Sequence, residues 1–580
     1  MARGGQKGDP VDWVSRAADD AVRHAGEGKP VTVSSGASPS GPVHLGNLRE
    51  FLTTHFVADE LRRRGLEVRH LHVWDDFDRF RKVPAGVPAS WSEHIGRPLT
   101  AVPDPWECHA SWADHFKEPL QQALAALGVE MDEISQTELY RAGTYRDSVL
   151  QAVRARDEID AVLARYRTKK AAPPAADSEP ASDIDAQEAA ALAESVAADD
   201  DFDADLDGSG DNADLARFPY KPYCRECGRD TVTLTSYDDD STDLGYRCDC
   251  GFEGVTNLTT QFEGKLVWKV DWPMRWAFYH VDFEAAGADH ATPGSSFTVG
   301  HELVAGIFDM PKPAWFGYGF VGFAGMQKMS SSSGGVPTAA DALRVLEAPI
   351  LRWLYVRRAP KQAFTIDFGP EVLRLYDEWD ALGRKAADPA KRDVAVLAWE
   401  RAAATADGPL PTPEVTVPFR TLSSVADVTA GSADLISRTI SDVGFPHTDV
   451  AALEPRLGRA MAWTEEFVPE SDRTVVRSTP DADRLAALTE DEELWLRIFL
   501  DRLPDSADLA EVTSLVYGVP KAARGLGFDD APTDQVKADQ KDFFRLLYNL
   551  LVSKDRGPRL PTLVVALGPE KVRSLLTPPA

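Results

Sequence analysis

Residues Ser35 to Glu50 read SGASPSGPVHLGNLRE. Ahead of them the β-branched run VTVSSG (Val31–Gly36) predicts a strand. Behind them Asn47 to Arg64 reads as a helix, and VRHLHVWDDFD, from Val68, as a second strand. Strand, helix, strand is the opening of a parallel α/β domain. The small residues of the link let backbone approach a phosphate, and a helix N-terminus offers N–H groups and a positive dipole end to an anion. His44 is then a candidate donor to an α-phosphate whose charge builds during displacement. Gly46 leaves room for adenine or ribose, and Asn47 adds a second polar contact. A lone H-x-G-N is more often a plain loop with a solvent-facing histidine, so a second motif has to decide.

Length and composition limit the choices. A chain of 580 residues, 43% hydrophobic, supports three or four domains with proper cores. No run approaches the roughly 18 apolar residues of a membrane span. The start MARGGQKGDP lacks the apolar stretch of a signal peptide, so a soluble cytoplasmic protein without membrane contact is expected. Five clustered cysteines point to reduced thiols or metal rather than a disulfide framework. The net charge of −29, taken alone, argues against a nucleic-acid partner. Adaptation to molar salt, where the Debye length falls to about 3 Å, reconciles such a surface with a polyanion; an ordinary acidic enzyme is the alternative.

Ala171 to Ala216 carries fourteen Asp and Glu, no Lys or Arg, and is padded with Ala, Pro and Ser, the composition of a disordered, solvated insertion. A cysteine-bearing segment follows (Cys224–Gly251), then strands and helices from Gln261 to about Gly325, so a nucleotide-binding sheet is interrupted by insertions. From about Glu371 the chain turns mostly helical. Phe543, Phe544, Leu547, Leu550 and Leu551 recur at helical spacing and predict a buried stripe.

Two groups have metal-ligand spacing. Cys224 and Cys227 form a CRECG knuckle, and Cys248 with Cys250 gives C-x-C-G, one residue shorter than usual. Four thiolates in two knuckles read as a structural, tetrahedral zinc ribbon. DPWECHASWADH places Asp104, Cys108, His109 and His115 close together, a workable zinc set or a surface loop with stray histidines.

KMSSSSG (Lys328–Gly334) is a small-residue loop headed by a cation, far downstream. HLGN and KMSSS, in that order, resemble the two signature motifs of class I aminoacyl-tRNA synthetases. The sequence resembles the class I lysyl-tRNA synthetases of archaeal type in particular. The likeness extends through VWDDFDRFRKVP (Val73–Pro84), VWKVDWPMRW (Val267–Trp276), VDFEAAGADH (Val281–His290) and KDFFRLLYNLLVSKDRGPRL (Lys541–Leu560). It implies a Rossmann-like α/β catalytic domain with zinc-binding insertions and an all-helical C-terminal domain. The implied divisions are 1–150, with a zinc-binding insertion near 97–120; 151–260, holding the acidic segment 171–216 and a ribbon over 220–252; 261–325, the second half of the catalytic domain; 326–390, the signature loop and tRNA-stem contacts; and 391–580, for the anticodon. The implied chemistry is activation of L-lysine by ATP with Mg, then transfer of the lysyl group to tRNA(Lys), with two structural zinc ions.

Residue by residue, the resemblance brings forward His44, Asn47 and Lys328 as catalytic. It adds Pro39, Gly41, Gly46, Met329, Ser330, Ser331 and Ser332 as ATP-binding, and Gly36, Ser38, Glu50, Trp268 and His290 as lysine-pocket residues. Asp271 joins them on charge grounds, since a buried ammonium needs a carboxylate, and Trp268 either stacks on the lysine or simply packs in a strand-like run LVWKV. The family's second zinc site has ligands at positions matching Asp104, Cys108, His109 and His115. Ser331 and Ser333 depart from the lysines common at those positions, leaving Lys328 as the loop's cation. RWLYVRRAPK (Arg352–Lys361) is the expected site of phosphate contacts. The alternatives are a glutamyl- or glutaminyl-type class I synthetase and a non-catalytic tRNA-binding paralogue.

Overall fold

The computed structural model describes residues 10–167, 215, 217–291, 295–326, 329, 335–429, 433–469, 473–505 and 508–578. The predicted acidic segment, apart from Leu215, and the loop positions Lys328, Ser330, Ser331 and Ser332 lie outside the described residues. The chain divides into two compact units, residues 1–342, 348–367 and 382–410, and residues 343–347, 368–381 and 411–580.

The first unit is built on a parallel four-stranded sheet. Its strands are β1 (Val31–Ala37), β2 (Val68–Trp74), β3 (Asp132–Ser135) and, later in the chain, Phe283–Glu284, in the order β3, β2, β1, Phe283–Glu284. Val31 pairs with Val68 and Gly36 with Val73, while Val33 pairs with Phe283. Helix α1 (Trp13–Ala25) lays Ala17, Ala18 and Ala21 against Val31, Val33 and Phe283, and these small side chains let it approach the sheet closely. Asp12 caps it by accepting the Ser15 N–H at 2.9 Å. Helix α2 (Leu48–Arg63) is buried almost all round, its predicted ends each within one residue of those observed.

The insertion after residue 150 leaves and returns through one hairpin, β4 (Tyr220–Pro222) against β5 (Gly264–Leu266). Between its arms stands a three-stranded antiparallel ribbon of Val232–Tyr237, Asp243–Cys248 and Glu253–Asn257. The hairpin delivers the chain into helix α4 (Trp268–Tyr279), numbered after α3 (Trp112–Ala126). The run LVWKV, expected to be strand-like, is therefore the entrance to a helix; Trp268, Trp272 and Trp276 follow at the spacing of one helical face.

Two expectations about the chain beyond residue 350 are corrected. Helix Val394–Ala403 belongs with the sheet, not with the C-terminal unit, because Arg401 is buried and ion-paired to Asp12 (2.7 Å) and Glu60 (2.5 Å). Arg352 is unavailable to a phosphate. It is fully buried in helix α5 (Ala348–Val356) and donates to the carbonyls of Leu127 (2.8 Å), Arg401 (3.0 Å) and Ala402 (3.2 Å) and to His55 Nε2 (2.9 Å).

Among its described residues the second unit is helical. Buried Arg456 joins Glu347 (2.6 Å) and Asp380 (2.9 Å) within it. In helix Asp534–Val552 the expected stripe is buried at Phe543, Leu547, Leu550 and Leu551, while Phe544 is half-buried against Tyr517. No helix among the described residues is long and apolar enough to cross a membrane.

His55, His70 and His72 are all buried in the sheet domain, and burial pushes each well below the ordinary histidine value, His70 to about 4. A guanidinium only donates, so His55 Nε2 carries no proton while Arg352 is bonded to it. Their contribution to stability is complete above the unfolded value of about 6.5 and is lost as pH falls from there toward the folded values. For His70 alone the loss at pH 5 is about 2 kcal/mol. Urea unfolding at pH 7.5 and pH 5 should show stability falling, and His70→Asn, which keeps a donor toward the Glu130 carbonyl, should reduce the fall; an equal fall in both proteins would contradict this account.

Candidate active site

At the carboxyl ends of β1, β2 and Phe283–Glu284 lies a cavity of about 550 Å³, the position where ligands bind in open parallel sheets. One end is formed by the segment after β1, with Gly36, Ser38, Gly41, His44, Gly46 and Asn47 all lining it. Pro39 is buried and does not line it, the first departure from the expected ATP set.

The helix N-terminus is used differently from the expectation. The His44 ring accepts the backbone N–H groups of Gly46 (3.0 Å) and Asn47 (3.3 Å) on Nδ1, and Asn47 Oδ1 accepts the His44 N–H at 3.3 Å. Two of the N–H groups expected to face an anion are therefore occupied. In exchange the ring is fixed in one tautomer, with its proton on Nε2. A Cβ on Gly46 would stand 2.7 Å from His44 Cε1 and 2.8 Å from Nδ1, which is why glycine is required here, and the Met329 methyl would be 3.5 Å away. Met329, the described residue of the expected KMSSS loop, thus lies beside HLGN and lines the cavity. Leu45 N–H donates to the Pro337 carbonyl at 2.9 Å, so the chain after the loop is pinned to the motif as well.

The other end is lined by α4, Glu284, Ala286, His290 and Tyr318. Glu284 is the central feature and was not singled out in the sequence. Its carboxylate is buried and accepts the indole N–H of Trp272 and of Trp276, each at 2.8 Å. Burial raises it above the usual carboxylate range, opposed by the Trp272 hydrogen bond and the nearby Arg275 charge. Glu50 lines the cavity too and accepts a hydrogen bond from Tyr318. Trp268 stacks obliquely on Trp272, centroids 4.9 Å apart, and the Arg275 guanidinium lies 5.2 Å from its ring centre. His290 meets Trp272 edge-on at 5.6 Å.

Asp271 does not line the cavity. It is fully buried, accepts a hydrogen bond from Tyr140 and lies 3.4 Å from Arg275, so its charge is spent inside the protein. Arg275 also pairs with Asp75 at 2.8 Å. Burial works against the guanidinium, but Asp75 and Asp271 more than offset it and hold its pKa above the ordinary value. Burial lifts Asp75 to about 7, with Arg275 pulling the other way. The signal for Glu284 was present in VDFEAAGADH, but Asp282 beside it has equal charge and caps the Thr32 N–H instead.

Both expected metal groups are brought together. The ligand atoms of Cys224, Cys227, Cys248 and Cys250 lie within 4.8 Å of one another, as do those of Asp104, Cys108, His109 and His115. In the second group Cys108 Sγ is 3.1 Å from His109 Nδ1 and 3.3 Å from His115 Nδ1. Asp104 is oriented by the N–H groups of Trp106, Cys108 and His109 at 2.9–3.1 Å, and His109 Nε2 meets Glu118 at 2.6 Å. A carboxylate behind the far ring nitrogen is the usual support of a ligating histidine.

The family model described as tRNA synthetases class I (K) matches residues 11–404. A lysine--tRNA ligase of Streptomyces coelicolor is 50% identical, covering 98% of this chain and 99% of its own. One from Thermococcus kodakarensis is 34% identical, covering 97% and 98%. A solved glutamate tRNA ligase from Elizabethkingia meningosepticum covers 94% of this chain and 98% of its own at 12% identity, with a TM-score of 0.42, too low to add to the assignment. The chain belongs to the class I tRNA synthetases of the (K) family.

The fit of Gly46 beneath the His44 ring yields a test. Gly46→Ala should displace the ring and lower the rate of amino-acid activation about 100-fold, the scale for one preorganised donor. His44→Ala should cost as much, and the double variant little more. Full activity of Gly46→Ala would show that the ring position is not used.

Proposed function

We propose that this chain is a lysine--tRNA ligase that activates L-lysine with ATP to lysyl-adenylate and transfers it to tRNA(Lys), releasing AMP and pyrophosphate. The observation that carries the choice of lysine is Glu284, a buried carboxylate on the cavity wall whose oxygens are aimed by two indole N–H groups. A buried anion attracts a cation strongly and pays a desolvation cost that the cation repays. Arg275 is the cavity's buried cation, and Asp75 and Asp271 neutralise it. Glutamate would leave its side-chain carboxylate against Glu50 and Glu284, which disfavours the glutamyl reading.

The lysine lies with its ammonium groups toward Glu284 and Glu50 and its stem along Trp268. ATP enters as its magnesium complex at the opposite end, by Gly41, Gly46 and Asn47. The lysine carboxylate oxygen attacks the α-phosphorus, forming the acyl–phosphate bond as the bond to pyrophosphate breaks. His44 Nε2–H donates to the α-phosphate oxygen, and Lys328 with Ser330, Ser331 and Ser332 receives the departing pyrophosphate. A terminal ribose hydroxyl of the tRNA then attacks the lysyl carbonyl and AMP leaves. Trp268, packed between Trp272 and Arg275, is held as a rigid wall for this exchange.

Each metal group suits zinc by its donors: four thiolates in one, and thiolate, two imidazoles and a carboxylate in the other. The ions would be structural, all four positions being filled by protein. They would fix the loops that carry their ligands.

Lysine, in the presence of tRNA, should support ATP–pyrophosphate exchange while glutamate does not, and Glu284→Gln should raise KM for lysine by about 100-fold with KM for ATP little changed. Exchange with glutamate and none with lysine would overturn the reading. Metal analysis should find two zinc ions per chain, falling to one when Cys108 and His109 are both replaced by Ala. One zinc in both proteins would return that cluster to an ordinary loop.

A further inference from the structure

Beside the main cavity is a second, much smaller cleft of about 50 Å³, between the loop that follows β2 and the β4–β5 hairpin. Trp268 lines both. Four cations, Arg79, Arg81, Lys221 and Lys265, stand around it with two carboxylates, Asp78 and Asp230. In a chain of net charge −29 an excess of positive charge in one cleft runs against the composition. The two lysines add a second observation. Lys221 and Lys265 are register partners in the antiparallel pair, directly opposite each other, an arrangement of like charges that costs sheet stability. Lys265 Nζ is held by Asp78 Oδ1 at 2.6 Å and Arg79 lies 3.5 Å from Asp230, so the carboxylates fix two of the cations in place.

We infer that this cleft holds a backbone phosphate of the single-stranded 3′ end of the tRNA on its way into the main cavity. The inference rests on the reading of the chain as a tRNA-charging enzyme. The cleft has about a tenth of the main cavity's volume and so takes an anionic group rather than a base. None of its lining residues comes from Ser35–Glu50, where ATP is placed, so the anion is not the nucleotide's own. Its contact with Trp268 puts it at the amino-acid end of the cavity, where the acceptor hydroxyl has to arrive. The burial of Arg352 withdraws a cation from the stretch first expected to meet phosphate, and this cleft supplies a replacement.

Arg81→Glu combined with Lys221→Glu, and the milder pair Arg81→Gln with Lys221→Gln, should raise KM for tRNA in aminoacylation about 10-fold and reduce the slope of log(kcat/KM) against log salt by about 1. KM for lysine and for ATP should stay within about twofold of the parent. A tRNA whose 3′-terminal phosphodiesters are replaced by uncharged methylphosphonates should be charged poorly by the parent but suffer little further loss with the variants. An unchanged KM for tRNA in both folded variants, a parallel rise in KM for ATP, or an equal methylphosphonate penalty in parent and variant would overturn the inference. A parent that failed to use lysine at all would instead overturn the reading on which it rests.

Discussion

The pairing of Arg275 with Asp75 and Asp271 is the interaction on which the active-site end of the sheet depends. All three side chains are buried, and a guanidinium taken out of water is tolerated only when its charge is met. Asp75 follows β2, whereas Asp271 and Arg275 are one turn apart on α4, so the ion group ties that helix to the carboxyl edge of the sheet. Removing one member of such a group costs about 3–5 kcal/mol by leaving a buried charge exposed to nothing. With α4 fixed, Trp272 and Trp276 are aimed at Glu284, and Trp268 is sandwiched into the cavity wall. The charge of the pocket is thus a consequence of how the helix is anchored.

The HLGN end of the cavity is organised by a smaller constraint of the same kind. Helix α2 starts at the cavity wall, and its first N–H groups need acceptors. The His44 ring supplies one, which settles its own tautomer and orientation at once. Behind it, Arg49 is buried and donates to the carbonyls of Gly319 (2.7 Å) and Pro360 (2.7 Å), which binds the helix to the segments carrying Tyr318 and following α5. Tyr355 of α5 donates to the Leu45 carbonyl at 2.7 Å. Backbone carbonyls far along the chain therefore hold the signature segment rigid from below while its upper face lines the cavity.

The two clusters of metal-type side chains sit on insertions that each have a small apolar cluster of their own. The ribbon has a small cluster of Tyr246, Cys224 and Cys248 and sends buried Leu244 into the larger core, while the loop around Cys108 is shaped by one carboxylate that accepts three backbone N–H groups and by the apolar cluster of Phe80, Leu99, Val102 and Trp112. The ribbon also meets the segment before that loop, through Asp230 N–H to the Gly96 carbonyl at 2.8 Å and Arg229 to the Glu93 carbonyl at 2.6 Å. Ordering one insertion thereby helps to order the other.

What the sequence determined by itself is whatever depends on neighbours a few residues apart. The strand–helix–strand opening, the HLGN turn, both cysteine knuckles, the Asp104–His115 group and the stripe of Asp534–Val552 are local patterns, each written within about twenty residues or in two short motifs. Tertiary structure alone decided which charges face the cavity and which are spent internally. Asp271 and Glu284 look alike in sequence, yet one is neutralised by Arg275 and Tyr140 and the other lines the cavity. Arg352 reads as a surface cation until it is found 297 residues away from its partner His55 in sequence, and Asp75 is 200 residues from Arg275. The reason is physical: burial makes a charge seek any partner within reach in space, and separation along the chain carries no record of that choice.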